Sequence, residues 1–183
     1  MSWTVSPEPV GSAAAVALWR AYYTEVSDRW YELHEGRRTD PAELEREIAA
    51  DAGAGLVPPG GVLLVARWDG EPGGTAGVRL VGVGGGGGGC VGAGVEGATV
   101  TAELTRVFVA AGLRGKGGGS VLLAAAEEAA RSLGAGRVRL DTRHDLVEAR
   151  ALYERHGYVE GPPHNSDQYA EHWFRKELSV DGG

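Results

Sequence analysis

The chain is poor in the features that would place it in an oxidising compartment, in a membrane or on a polyanion. Cys90 is the single cysteine in 183 residues, which excludes an intramolecular disulfide and leaves a cytoplasmic protein as the expectation. No run of 18 apolar residues occurs, so no transmembrane helix is expected. The opening residues 1–9 carry neither a basic segment nor an apolar stretch and are not expected to act as a secretory signal. Lys116 and Lys176 are the only two lysines among 18 basic residues, and the formal net charge is −7. With no basic stripe to release counterions, nucleic acid is not an expected partner. An acidic surface instead favours cations such as amines. The five histidines lack metal-ligand spacing and no His-Glu-x-x-His occurs, so no metal is expected.

Glycine is what the chain has in excess, 31 residues, and it is concentrated in two places of different meaning. Segment 82–98 is low-complexity, with six consecutive glycines at Gly84 to Gly89. Such a composition buries too little apolar area to offset its ordering entropy. It is expected to be a flexible connector between the third and fourth strands, with Cys90 an exposed spare thiol. The second place is Val107-Phe-Val-Ala-Ala-Gly-Leu-Arg-Gly-Lys-Gly-Gly-Gly-Ser120, followed at once by the helical pattern of residues 121–130. A strand ends, a glycine and basic loop follows, and a helix begins. Free backbone N–H groups and the positive end of a helix dipole then converge on one point, which suits a phosphate.

Three phosphate loops compete for this segment. The nucleotide-hydrolase loop requires Gly, four residues, then Gly-Lys-Ser/Thr. It fails because Gly117 follows Lys116 and only two residues separate Gly112 from Gly115. The dinucleotide fingerprint is met by Gly115-x-Gly117 and by Asp141 at the end of the next strand. However, Ser120 stands where its third small residue belongs, and the loop from Val109 to Gly115 is too long. The third pattern, Arg/Gln-x-x-Gly-x-Gly/Ala, is matched in full by Arg114-Gly115-Lys116-Gly117-Gly118-Gly119.

Its surroundings carry further motifs. The strand-like Ala102 to Val109, the strand-like Arg137-Val-Arg-Leu-Asp141 and Ala149-Arg-Ala-Leu-Tyr-Glu-Arg-His-Gly-Tyr158 accompany the loop in order. The last reads as A-x-x-L-Y-x-x-x-G-F/Y. Over residues 100–178 the chain resembles the GNAT superfamily of acetyl-CoA-dependent N-acetyltransferases, and the N-terminal half follows it in order of elements. The resemblance implies one α/β (α+β) domain over residues 1–183. Its mixed, mostly antiparallel twisted sheet would have six to seven strands, with about four helices packed on both faces.

The local patterns fit that plan. Residues 2–5 read as a short strand, and the apolar spacing of 12–35 as helix, with a break near Ser27-Asp28. Thr39-Asp-Pro-Ala-Glu starts a second helix with a cap and an early proline. Residues 62–68 and 75–81 form a hairpin around a turn at 69–74. Helices are expected at 117–133 and 146–156, a strand at 137–142 and a last strand within 169–178.

The resemblance also distributes roles. Arg114, Gly115, Lys116, Gly117, Gly118, Gly119 and Ser120 would hold the pyrophosphate of acetyl-CoA, although Arg114 and Lys116 also fit as solvated loop residues. Main-chain groups of Val107, Phe108 and Val109 would pair with the pantetheine arm. Tyr153 occupies the place of a hydroxyl that protonates the departing thiolate, or else packs the last helix. Glu103 is the candidate base, with strand alternation placing it on one face with Thr105, Val107 and Val109. Pairing with Arg106 or Arg79, and a water base, are its rivals. Leu146 stands where many relatives have Asn, a contact Asp145 or His144 would have to supply. Tyr22, Tyr23, Asp28, Tyr31, His144, Tyr169, His172 and Trp173 are candidates for the acceptor pocket.

The expected reaction is direct acetyl transfer to the primary amine of a small molecule in a ternary complex, since no activated Cys or Ser–His pair is apparent. Acetyl-CoA and the amine are the expected partners, and a homodimer is compatible with the resemblance. A non-catalytic acyl-CoA-binding module, transfer to a protein N-terminus or lysine, and a dinucleotide-binding protein are the alternatives.

Overall fold

The structure, a computed structural model, describes residues 1–51, 53, 55–83 and 99–179. Most of the expected connector, residues 84–98 with Cys90, lies outside the described residues. Seven strands form one sheet: β1 (Trp3–Pro7), β2 (Gly61–Trp68), β3 (Glu71–Val83), β4 (Val100–Val109), β5 (Arg137–Thr142), β6 (Val159–Gly161) and β7 (His172–Glu177). Their order is β1-β2-β3-β4-β5-β7-β6, and every pairing is antiparallel except β4 with β5. Four helices complete the fold: α1 (Ala13–Glu35), α2 (Pro41–Ala50), α3 (Gly118–Ser132) and α4 (Val147–Arg155).

The sheet is covered on both faces. On one, Leu122, Leu123, Ala126 and Ala130 of α3 pack with Ala102 and Leu104 of β4, Leu140 of β5, Phe174 of β7 and Tyr153 of α4. On the other, Leu18 of α1 meets Val65 and Phe108, while Trp19 meets Leu56 and Leu63. The alternation of β5 is clean: Val138, Leu140 and Thr142 are buried between partly exposed neighbours.

Three local expectations are corrected. The helix over 13–35 is continuous at Ser27-Asp28, because both polar side chains find partners beyond it: the Ser27 hydroxyl donates to Glu47 (3.3 Å), and Asp28 accepts the Thr39 N–H (3.0 Å). The hairpin turns over Asp69-Gly70, both at positive φ (49° and 93°), which suits the two-residue turn and lets β3 begin at Glu71. In β4 the expected alternation fails. Arg106 has φ 51°, and the β3 register slips between Thr75↔Phe108 and Gly77↔Thr105. This bulge turns Val107 and Val109 onto the α3 face while Phe108 joins α1, so Val107 and Val109 do not share the face of Glu103.

The parallel pairing of β4 with β5 stops after Glu103↔Arg139. Beyond it the two strands part, and β4 runs on to Val109. A cleft opens between them at the start of α3.

Candidate active site

Two cavities occupy that cleft and meet inside it. The smaller, about 450 Å³, is walled by Val107, Phe108 and Val109, by Arg114, Gly115 and Gly117 to Ser120, and by Leu152 and Arg155 of α4. The larger, about 680 Å³, lies between α1, α2, β4, β5 and the segment before β7. Tyr22, Val26, Val107, Leu146, Ala149 and Tyr153 line both, and so mark the junction.

The floor of the smaller cavity is an open helix end. Ser12 caps α1 and Asp40 caps α2 with side-chain oxygens, whereas Gly117 at the start of α3 supplies no side-chain cap and the first turn holds no acidic residue. The first N–H groups of α3 are thus left for an anion. Gly115 and Gly117 sit at φ 77° and 81°, which glycine alone adopts freely. A Cβ on Gly119 would lie 2.8 Å from Leu152. Ser120 Oγ lies 2.9 Å from His156 Nε2, a Ser–His pair not apparent in the sequence, at the loop end of the groove.

Arg114 lies across this groove. Its Nε donates to the Val109 carbonyl (3.0 Å) and its Nη2 to the Glu25 carboxylate (2.6 and 2.7 Å). Lys116 is the one loop residue that turns away. Its carbonyl accepts the Trp3 indole N–H (2.8 Å) and its ammonium sits 5.2 Å from the Trp68 ring centre. The neighbouring Arg29 Nη2 reaches the Asp145 carbonyl at 2.5 Å, and its guanidinium pairs with Glu148, which ties α1 to α4.

At the junction, Tyr153 is buried and its hydroxyl has no hydrogen-bond partner among the described residues. Burial, with Tyr22 and Asp141 nearby, pushes its phenol well above the usual range, so it stays protonated across working pH. Leu146 forms an apolar wall. Asp145 and His144 do not replace the missing amide: both Asp145 oxygens accept from Arg143 (2.8 Å each), and His144 stacks on His172 at 5.3 Å.

Glu103 does lie in the larger cavity's wall, but both its oxygens are engaged. Oε1 accepts from Arg79 (2.6 and 3.2 Å) and Oε2 from Arg139 (3.1 Å). The expected rival, pairing with Arg79, is therefore what forms, whereas Arg106 pairs with Asp51 and stacks over Trp19. A second carboxylate, Asp141, which the sequence marked only as the strand-end acid of the dinucleotide fingerprint, stands at the end of β5 in the same wall. Burial, and the negative Glu103 and Asp167 nearby, raise its carboxyl above the usual range, against the opposing hydrogen bond from Asn165 Nδ2 (2.7 Å). Asn165 is in turn fixed by the Trp173 indole, which donates to its Oδ1 (2.9 Å).

Of the acceptor candidates, Tyr22, Tyr23, Tyr31 and Tyr169 line the larger cavity. Asp28, His144, His172 and Trp173 do not. Asp28 is used at the α1–α2 corner, and His144 and His172 form an outside cluster with Arg150 Nη1 3.0 Å from each. Trp30, Glu47, Asn165 and Asp167 are among the wall residues that the sequence did not single out. They come from α1, α2 and the segment before β7 and share no spacing that could have marked them.

A sheet split by a bulged strand, an uncapped glycine-started helix at the split and a buried tyrosine beyond it define a protein that holds a pyrophosphate-bearing acyl carrier against a second substrate. Residues 15–158 match the model of the acetyltransferase (GNAT) family, and the chain belongs to that family of acetyl-CoA-dependent enzymes. Similar solved structures include a Klebsiella pneumoniae protein assigned as an acyl-CoA N-acyltransferase (24% identity, 97% of this chain and 98% of that one, TM-score 0.61). Another is the PaiA N-acetyltransferase of Thermoplasma acidophilum in complex with coenzyme A (15% identity, 97% and 100%, TM-score 0.65). A third is yncA of Salmonella typhimurium, assigned as an acetyltransferase and solved with acetyl-CoA (17% identity, 100% and 98%, TM-score 0.60). No curated protein matches the sequence significantly. Among the described residues no helix is long and apolar enough to cross a membrane.

Proposed function

We propose that the chain acetylates a primary amine of a small molecule by direct transfer within a ternary complex. The observation that carries this reading is the meeting of two cavities at Tyr153, one floored by an anion-binding helix end and the other walled by carboxylates and aromatic rings. The first turn of α3, Gly117 to Ser120, would hold the pyrophosphate, with Arg114 swinging from Glu25 onto it. Lys116 has no part in this. The coenzyme A seen in the Thermoplasma acidophilum relative supports the assignment.

Acetyl-CoA supplies a thioester whose carbonyl carbon accepts the amine nitrogen, so a C–N bond forms as the C–S bond breaks. An incoming ammonium must first lose a proton, and Asp141 takes it. A raised carboxyl is closer to the amine in proton affinity than an ordinary aspartate. Tyr153 gives its proton to the sulfur, and the second proton leaving nitrogen restores the phenol. One proton is released per turnover. Glu103, held by Arg79 and Arg139, is assigned a supporting part, its charge keeping Asp141 basic.

The test is thiol release from acetyl-CoA across amines, antibiotics and peptides, run beside a Tyr153→Phe variant. Turnover of small amines, with kcat reduced about 100-fold or more in the variant and acetyl-CoA affinity unchanged, is expected. Affinity for acetyl-CoA without turnover of any acceptor would refute catalysis.

A further inference from the structure

The charges around the larger cavity do not cancel. Arg106 is consumed by Asp51, Arg79 by Glu103, and Arg143 by Asp145 and the Val26 carbonyl (2.7 Å). Among the described residues, three wall carboxylates have no cationic partner: Asp141, Asp167 and Glu47. Each has only a neutral donor, respectively Asn165 Nδ2 at 2.7 Å, the Tyr169 N–H at 2.8 Å and the Ser27 hydroxyl at 3.3 Å. They also form a sequence in space. Asn165, which donates to Asp141, precedes Asp167 by two residues; Tyr169, whose N–H donates to Asp167, meets Trp30 of α1; and Ser27, three residues before Trp30, donates to Glu47 of α2.

Aromatic rings stand beside the outer two. Trp30 and Tyr169 meet edge to face at 5.9 Å, and both line the cavity. An independent feature marks the inner end as the reacting one: the buried Tyr153 hydroxyl opens there without a partner of its own. A chain of unpaired negative charge leading outward from that hydroxyl, flanked by rings, suits a ligand with more than one cationic centre.

We infer that the acceptor is an elongated polycationic amine, whose reacting nitrogen sits at Asp141 and whose remote ammonium is held by Glu47 and Asp167 between Trp30 and Tyr169. This rests on the transferase reading above and narrows it. A terminal carboxylate at the remote position would meet the negative Glu47 and Asp167 and, among the described wall residues, no free guanidinium, so ω-amino acids are poor acceptors. A monoamine of equal length gains the apolar walls but not the remote ion pair.

The experiment compares kcat/KM for straight-chain α,ω-diamines of three to six carbons with the monoamines and ω-amino acids of the same length, by thiol release from acetyl-CoA. The best diamine is expected to exceed its monoamine by about tenfold or more, and the ω-amino acid to fall below both. In Glu47→Gln and Asp167→Asn the diamine advantage over the monoamine shrinks about tenfold, read as a larger rise in KM for the diamine than for the monoamine of equal length. Calorimetric titration of the diamine into protein saturated with CoA reads the same loss without turnover. Equal kcat/KM for diamine and monoamine, or a diamine advantage unchanged in both variants, overturns the inference and leaves the transferase reading standing. Acetyl-CoA binding with no turnover of any amine overturns both.

Discussion

At the scale of single residues, Asp141, the proposed base, carries a cost in stability. Its folded carboxyl is raised by burial and by Glu103 and Asp167, so its ionised form is the strained one. A raised carboxyl stabilises the fold below the unfolded value of about 3.9, and that contribution is lost as pH rises through the higher folded value. Asp141→Asn is therefore expected to raise Tm at neutral pH, with the gain vanishing in acid, while activity collapses. In the parent enzyme the acid limb of kcat/KM against pH should lie above the ordinary aspartate range. Scanning calorimetry at two pH values and a pH–rate profile check the two halves. Tyr153 was legible in the sequence because its motif is local. Asp141 was not, since its environment comes from Asn165 and Glu103, distant in sequence.

At the scale of elements, α1 and the phosphate loop are held together by Arg114 with Glu25, and α1 is tied to α4 by Arg29 with Glu148. Burial opposes ionisation of Glu148, but the Arg29 hydrogen bond is the larger effect and holds its carboxyl below the usual range. On the proposed reading, an incoming pyrophosphate competes with Glu25 for Arg114. Glu25→Gln is expected to tighten acetyl-CoA binding about three- to tenfold in low salt, less at 1 M salt, where charge is screened. Isothermal titration at the two ionic strengths measures this. The loop and helix order were readable because glycine and helix patterns are local. The β4 bulge was not: nothing in Leu104-Thr-Arg-Val107 distinguishes it from a regular strand, and only Gly77 and Thr75 across the sheet reveal the slip.

At the scale of the whole molecule, the sheet is one piece whose stability depends on burial directly beneath the cleft. Phe174 on β7 is 1% exposed and touches the same cluster as Tyr153. Phe174→Ala should cost about 3–5 kcal/mol in urea unfolding, through lost burial and a cavity beneath α4. The architecture was legible at this level, since the helices and most strands announce themselves by period, although three-residue β6 is too short to do so. Which of the acceptor candidates face inward was not, because facing is set by how α1, α2 and the segment before β7 close over the sheet. Asp28 and His172 look as chemical as Asp141 and Asp167 in sequence, yet only the latter pair reaches the cavity.

The two cavities share one wall at Tyr22, Leu146 and Tyr153. Under the proposed reading, one molecule that links the coenzyme to the amine can therefore span both. Such a conjugate, joined through the acetyl carbon, needs only one encounter to fill both cavities, so its affinity should exceed that of either half by about a hundredfold or more. It should also compete with both substrates at once, which steady-state inhibition patterns would reveal.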